Sequence, residues 1–166
     1  MTASPVLFDL YKPCMLIIFL LKTFFLNFHF WKNLNFCSIC LVLSLSKYII
    51  LILKEWINKN EIDVVITTGG TGLTGRDITP EAIDEIADKQ IPGFGEVFRN
   101  ISLKTVGTSA IQSRACAVLA NGKYVFALPG SSGGVTDAWD GILKHQLDIN
   151  HKPCNFVELF PRLKEK

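Results

Sequence analysis

The sequence predicts an α/β fold with a mostly parallel sheet and an attached β-hairpin, and three observations carry that reading. Asp63-Val64-Val65-Ile66-Thr67 is a short β-branched run of the kind that forms buried parallel strands, and a glycine-rich turn follows it at once. Asn121-Gly122 lies between two apolar runs, 115–120 and 123–128, the strongest short hairpin signal because both central turn residues need positive φ. The second run ends in Pro129-Gly130-Ser131-Ser132-Gly133-Gly134, after which a helical pattern resumes. Strand, glycine-rich loop and helix thus occur twice in one chain.

A chain of 166 residues can bury one self-sufficient core, but it is too short for a multidomain machine. Lys and Arg number 17 against 15 Asp and Glu, a balance that argues against a dedicated nucleic-acid binder. The charge is unevenly spread. Residues 1–50 carry Lys12, Lys22, Lys32 and Lys47 against Asp9 alone, whereas the remainder alternates in the ordinary globular manner. Five cysteines, an odd count without a dense framework, do not describe a disulfide scaffold. Cys37-Ser-Ile-Cys40 has metal-ligand spacing but no second pair or nearby histidines, so these read as buried thiols.

In chain order, residues 14–31 are apolar for about the length that crosses a bilayer, yet Lys22, Asn27 and His29 interrupt them. A central Lys costs about 2.5–3.5 kcal/mol on insertion. Residues 36–53 form a second apolar stretch, broken by Lys47 and several serines. Three readings of residues 1–47 stand side by side: a membrane anchor that would tether the protein through residues 14–53, buried elements of the main domain, or a stretch foreign to the fold. The third fits a heavy use of Phe, Leu, Ile, Lys and Asn, which AT-rich codons yield in any frame. The main domain is expected over residues 48–166.

From Tyr48 onward, Ile49, Ile50, Ile52, Leu53, Trp56 and Ile57 recur at helical spacing and predict a helix ending near residues 58–60. The Asp63 to Thr67 strand comes next. Thr79-Pro80-Glu81-Ala82 then predicts a helix start, with Thr79 as N-cap, Pro80 at the first helical position and Glu81 as a partner of the helix dipole. This helix is expected to run to about Lys89. Phe94, Val97, Phe98 and Ile101 make a second stripe, read as core rather than cofactor site. After the hairpin, residues 135–147 are expected to turn Ala138, Trp139, Ile142, Leu143 and Leu147 inward.

Three constellations carry chemistry. The first is residues 67–77, where Gly69, Gly70 and Gly72 let the backbone approach a ligand and aim its N–H groups at phosphate oxygens, with Thr68 and Thr71 adding hydroxyls. Neither the dinucleotide fingerprint nor the Walker loop is matched. Its position after a strand is where open α/β sheets bind ligands. Asp77, which would repel a bare phosphate, reads as a Mg²⁺ ligand, as a base or charge stabiliser during group transfer, or as a secondary helix cap. The second constellation, residues 108–114, places Ser113 and Arg114 where they could grip an anion, although Arg114 could equally form an ordinary ion pair. The third is the loop of Pro129, Gly130, Ser131 and Ser132, and two such loops suggest a ligand with more than one phosphate.

TTGGTGLTGRDITPEAI, then GFGEVFR, TSAIQSRA, LANGKYVFALPGSSG and Lys152-Pro153-Cys154-Asn155-Phe156, closely resembles the MoaB/Mog family of molybdenum cofactor biosynthesis over about residues 48–160. The resemblance implies a three-layer α/β/α domain that binds molybdopterin and, in active members, transfers AMP from Mg-ATP to the pterin's terminal phosphate with release of pyrophosphate. It further implies that Gly69-Gly70-Thr71-Gly72 cradles phosphates, that Asp77 is the essential acidic residue, that Ser113 and Arg114 contact the pterin, and that Pro129 to Ser132 form a second ligand loop. A cytoplasmic homo-oligomer, trimer or hexamer, is implied as well. Members begin with a strand, a Ser/Thr-rich turn and acidic residues that help to bind the metal-nucleotide. Residues 1–47 carry none of these and Asp9 is their only acid, so the edge of the Asp63 to Thr67 strand is expected to be exposed and the site incomplete. A catalytically inactive pterin-binding scaffold, or an interaction protein tethered to a membrane through residues 14–53, is then the alternative to an adenylyltransferase.

Overall fold

In the computed structural model of the protein, the backbone is described for residues 15–18 and 38–165, and the side chains for 46–165. The described strands are β1 (Met15–Ile18), β2 (Val64–Thr68), β3 (Lys89–Gln90), β4 (Cys116–Ala120) and β5 (Lys123–Leu128), joined in the order β1-β2-β5-β4-β3. The helices are α1 (Ser38–Ile57), α2 (Thr79–Ile86), α3 (Pro92–Val106), α4 (Ser132–Ala138) and α5 (Lys144–Gln146), the last two linked by a π-helical stretch, Trp139–Leu143.

β2 and β5 lie parallel, from Val64 opposite Tyr124 to Thr68 opposite Leu128. β4 is antiparallel to β5, and the turn between them has Asn121 at φ 50° and Gly122 at φ 71°, the pair of positive values that the Asn-Gly signal requires. Side chains of the central strands alternate between two cores. Val65, Val118 and Val125 pack with Ile49, Leu53, Ile57 and Ile83 of α1 and α2. Val64, Ile66 and Phe126 pack on the other face with Phe94, Phe98, Ile142 and Leu143. Helices on both faces of a mixed sheet, parallel at β1-β2-β5 and antiparallel at β5-β4-β3, make the expected three layers, and each fully buried Leu, Ile or Phe contributes about 1.5–3 kcal/mol.

The hairpin also holds the end of α1. Lys123 Nζ donates to the carbonyls of Lys59 and Ile62, and Asn121 Nδ2 donates to Ile57 O at 3.0 Å. These bonds tie the hairpin to carbonyls at the helix end and the turn after it, of which Lys59 O also accepts the Ile62 N–H at 3.3 Å.

Several expectations need correction. The edge of β2 is not bare, because β1 pairs with it in parallel, Met15 opposite Val64 through Ile18 opposite Thr67. The helix predicted from Tyr48 begins ten residues earlier, at Ser38, and runs through residue 48 without a break. α2 stops at Ile86 rather than near Lys89, since Asp88 N–H donates to Leu119 O at 2.8 Å and draws Lys89 and Gln90 into the sheet beside β4. Val97 is 49% exposed although Phe94 and Phe98 are buried, so the α3 stripe is narrower than predicted. The C-terminal helix widens at the π-helical stretch, where Gly141 lies so close to Ile101 that a Cβ there would meet its Cδ1 at 2.7 Å. No helix among the described residues is long and apolar enough to cross a membrane. Asp9, Cys37 and most of the 14–31 apolar run lie outside the described residues.

Candidate functional site

Parallel pairing of β2 and β5 brings their carboxyl ends side by side, and with them the two glycine-rich loops. Thr68 Oγ1 donates to Pro129 O at 2.8 Å, and Gly69 N–H donates to Leu128 O at 2.9 Å. The backbones then touch. A Cβ on Gly130 would stand 3.2 Å from Gly69 Cα, and Gly69 and Gly70 adopt φ of 96° and 67°, a region that side chains disfavour.

The first loop closes on its own acid. Asp77 Oδ2 accepts the Thr74 N–H at 2.9 Å and the Thr74 Oγ1 hydroxyl at 2.6 Å. Burial pushes the Asp77 carboxyl up, but the hydrogen bonds from Thr74 and the Gly72 amide, aided by the Arg114 charge, outweigh it and hold the group below its ordinary 3.8. It is therefore an ionised, acceptor-only group at neutral pH. Gly72 has to be small here, since a Cβ would meet Asp77 Oδ2 at 2.7 Å.

Thr79 is not the N-cap that its position suggested. Ile78 occupies that place without a side-chain cap, while Thr79, buried, turns its hydroxyl back to Gly69 O at 2.9 Å and its N–H to Gly70 O at 3.1 Å. The start of α2 is thereby tied to the start of the loop.

Arg114 reaches the same loop from the stretch after a 3₁₀ helix, Gly107–Gln112. Its N–H donates to Thr71 O at 2.9 Å and its Nε to Gly72 O at 2.7 Å, while Nη2 donates to Asp77 O and Nη1 to Glu81. Burial alone would raise the Glu81 carboxyl, but the Arg114 hydrogen bond and charge hold it below its ordinary 4.5. Ser113 Oγ accepts the Ala115 N–H at 3.3 Å. In the second loop Ser131, exposed, caps α4 by accepting the Gly134 N–H at 3.2 Å, with Gly130 and Ser132 exposed beside it.

A family model described as "Probable molybdopterin binding domain" matches residues 48–149, a span that contains all three loops. The chain belongs to this molybdopterin-binding family. It is 47% identical over 112 residues to molybdenum cofactor biosynthesis protein B of Escherichia coli (strain K12), covering 68% of this chain and 64% of that protein. The protein of the same name from Staphylococcus aureus (strain Mu50 / ATCC 700699) is 47% identical over 96 residues, 57% of this chain and 56% of its own. The chain thus spans less than two thirds of the length of these relatives. A crystal structure of a molybdenum cofactor biosynthesis protein B superposes with a TM-score of 0.63 at 38% identity, over 73% of this chain and 70% of the other. The tungsten cofactor synthesizing protein MoaB from Pyrococcus furiosus superposes with a TM-score of 0.54 at 42% identity, over 58% and 62%. The family relationship agrees with the MoaB/Mog resemblance of the motifs.

Sequence reasoning missed one residue that shapes the site and misassigned another. Thr74 escaped notice although it stands three positions before Asp77, the spacing of a local hydroxyl–carboxylate turn. Thr79 was assigned to the wrong partner. Cys116 offers no nucleophile, because burial pushes its thiol up to about 11. A hollow of about 480 Å³ between α3 and the C-terminal helix is lined by Phe94, Val97, Ile142, His145 and Phe156 among others, and none of its lining residues belongs to the three loops.

Proposed function

We propose that the protein acts in molybdenum cofactor biosynthesis, binding molybdopterin and, in a complete form, adenylylating it with Mg-ATP and releasing pyrophosphate. One observation carries this reading: two glycine-rich loops meet at the ends of neighbouring parallel strands, beside an ionised carboxylate, Asp77. In it Thr68, Gly69, Gly70, Thr71 and Gly72 form a phosphate cradle, Gly69 through its backbone shape because its own N–H is bonded to Leu128. Pro129, Gly130, Ser131 and Ser132 make the second cradle, and Ser113 and Arg114 border the pterin side. The terminal phosphate of molybdopterin would displace pyrophosphate from ATP between them.

Mg²⁺ fits this site as a companion of the nucleotide. No group of three acidic, His or Cys side chains among the described residues could hold a metal by itself, whereas Asp77 supplies the one carboxylate that Mg²⁺ commonly adds to substrate phosphates and water. Bound there, the ion would neutralise charge on the phosphates being transferred. A cytoplasmic homo-oligomer, trimer or hexamer, belongs to the same reading, and exposed Leu103, Val106 and Ile111 supply apolar surface for association.

A non-catalytic pterin-binding scaffold is the second reading. It is favoured by the ion pair of Glu81 with Arg114, which leaves Asp77 to meet a metal-nucleotide alone. Titration with molybdopterin, followed by a pyrophosphate assay after addition of Mg-ATP, separates the two. Binding with release supports the enzyme, and Asp77→Asn should then lower release by about 10²–10³-fold, the usual cost of one preorganised electrostatic group. Binding without release supports the scaffold, and no binding refutes both.

A further inference from the structure

The geometry points to Arg114 as a positioning residue that holds the Asp77 loop in shape, rather than as a group that grips the ligand. This inference rests on the proposed function only for the identity of the ligand. A guanidinium has five N–H donors in a fixed planar fork and accepts nothing. Here three of the five are engaged by the protein, one from each nitrogen: Nε on Gly72 O, Nη2 on Asp77 O and Nη1 on Glu81. Gly72 and Asp77 bracket the tip of the loop, so one side chain draws both ends together. A phosphate that drew the guanidinium away from the loop would strip the Gly72 and Asp77 carbonyls of their donors, and a carbonyl left without a partner there costs about 1–3 kcal/mol.

The GFGEVFR motif, for which the phosphate chemistry has no use, supplies the support behind Arg114. Arg99 of α3 donates from Nη1 to Ser113 O at 3.5 Å and to Ala115 O at 3.3 Å, gripping the backbone on either side of Arg114. Gly95, one helical turn earlier, leaves the room, since a Cβ there would meet Ala115 O at 2.7 Å and Arg99 Nη1 at 2.9 Å. A chain of contacts thus runs from α3 through residues 113–115 to the loop that presents Asp77.

Hydrogen exchange on the full, ligand-free protein tests this at the Thr74 and Asp77 amides, whose acceptors lie inside the loop. Arg114→Gln should speed their exchange by about tenfold or more while Val125 in β5 keeps its rate, and Arg114→Lys, with charge but no fork, should recover only part of the protection. Molybdopterin affinity should fall in the same order as protection. Arg76→Gln removes a neighbouring exposed charge without touching the fork, and should leave exchange unchanged. If Arg114→Gln weakens molybdopterin binding while the loop amides exchange at the wild-type rate, Arg114 is a ligand contact and the inference is overturned. Should Arg114→Gln not fold, Glu81→Gln takes its place. It must still speed exchange by about two- to threefold, and an unchanged rate overturns the inference equally. A wild-type protein that binds no molybdopterin, with exchange responding as expected, removes the functional reading and leaves the positioning role standing.

Discussion

The two glycine-rich loops leave neighbouring parallel strands, have similar composition and touch at Gly69 and Gly130, yet they are held in opposite ways. The second loop is nearly self-sufficient, with Ser131 capping the helix that follows and Thr68 securing Pro129. The first is held from outside as well as within: Thr79 fastens its start, Asp77 closes on Thr74, and Arg114 ties its two ends from 37 and 42 positions away. A loop that must present a charged side chain needs that side chain fixed, whereas a loop that offers only backbone donors needs little beyond its own turn.

Gly72→Ala breaks this contrast most severely. Its Cβ would stand 2.7 Å from Asp77 Oδ2 and 3.1 Å from Cγ, so the carboxylate has to leave Thr74. Overpacking of this kind costs about 1–3 kcal/mol, and a fluorescence titration should show molybdopterin affinity down by about ten- to a hundredfold in a protein that still folds. Gly130→Ala is milder, because its nearest contact is 3.2 Å to Gly69 Cα and the less encumbered loop can give by a few tenths of an ångström. Affinity should fall by about three- to tenfold. Equal losses from the two substitutions would mean that the loops form one rigid frame, and the contrast drawn here would be wrong.

The same contrast explains what the sequence reveals. The second loop is legible because its cap is local: Ser131 and the helix it caps are adjacent letters, although the hold of Thr68 on Pro129 is not, and the Asn121-Gly122 turn is legible for the same reason. β2 and its glycine-rich turn are equally visible. The role of Arg114 is not, since sequence puts a guanidinium near anion-binding residues but cannot tell whether phosphate or protein carbonyls will occupy its fork. Thr79 misled for a related reason. Its place before Pro80 satisfies a capping rule, and only the packing of α2 against Gly69 diverts the hydroxyl. β1 is covered only by one of the three readings of residues 1–47, because Met15–Ile18 lies in an apolar run with no alternation or bounding turns, and its pairing depends on β2.

Ser131→Ala should remove the cap of α4 and cost about 1 kcal/mol. Calorimetry should record a melting temperature lower by a few degrees, with the pterin affinity changed less than in either glycine variant.

The smallest effect distinguishes the loops by pH. Asp77 and Glu81 are both held below their ordinary values of 3.8 and 4.5, so their contribution to stability is fully present above those values and lost as pH falls through the folded-state values beneath them. Glu81 is 56% exposed in its side chain, and solvent and salt therefore screen its pairing with Arg114. The deficit of Glu81→Gln against wild type should be slight at pH 7, shrink further in high salt, and disappear as acid protonates the native carboxylate. The cap lost in Ser131→Ala is a bond between a neutral hydroxyl and a backbone N–H, so its deficit should stay constant across the same pH range. Urea denaturation of both variants between pH 3 and pH 7 makes the comparison, and a deficit in Glu81→Gln that persists undiminished at the acid end would show that the first loop does not depend on its ionised carboxylates.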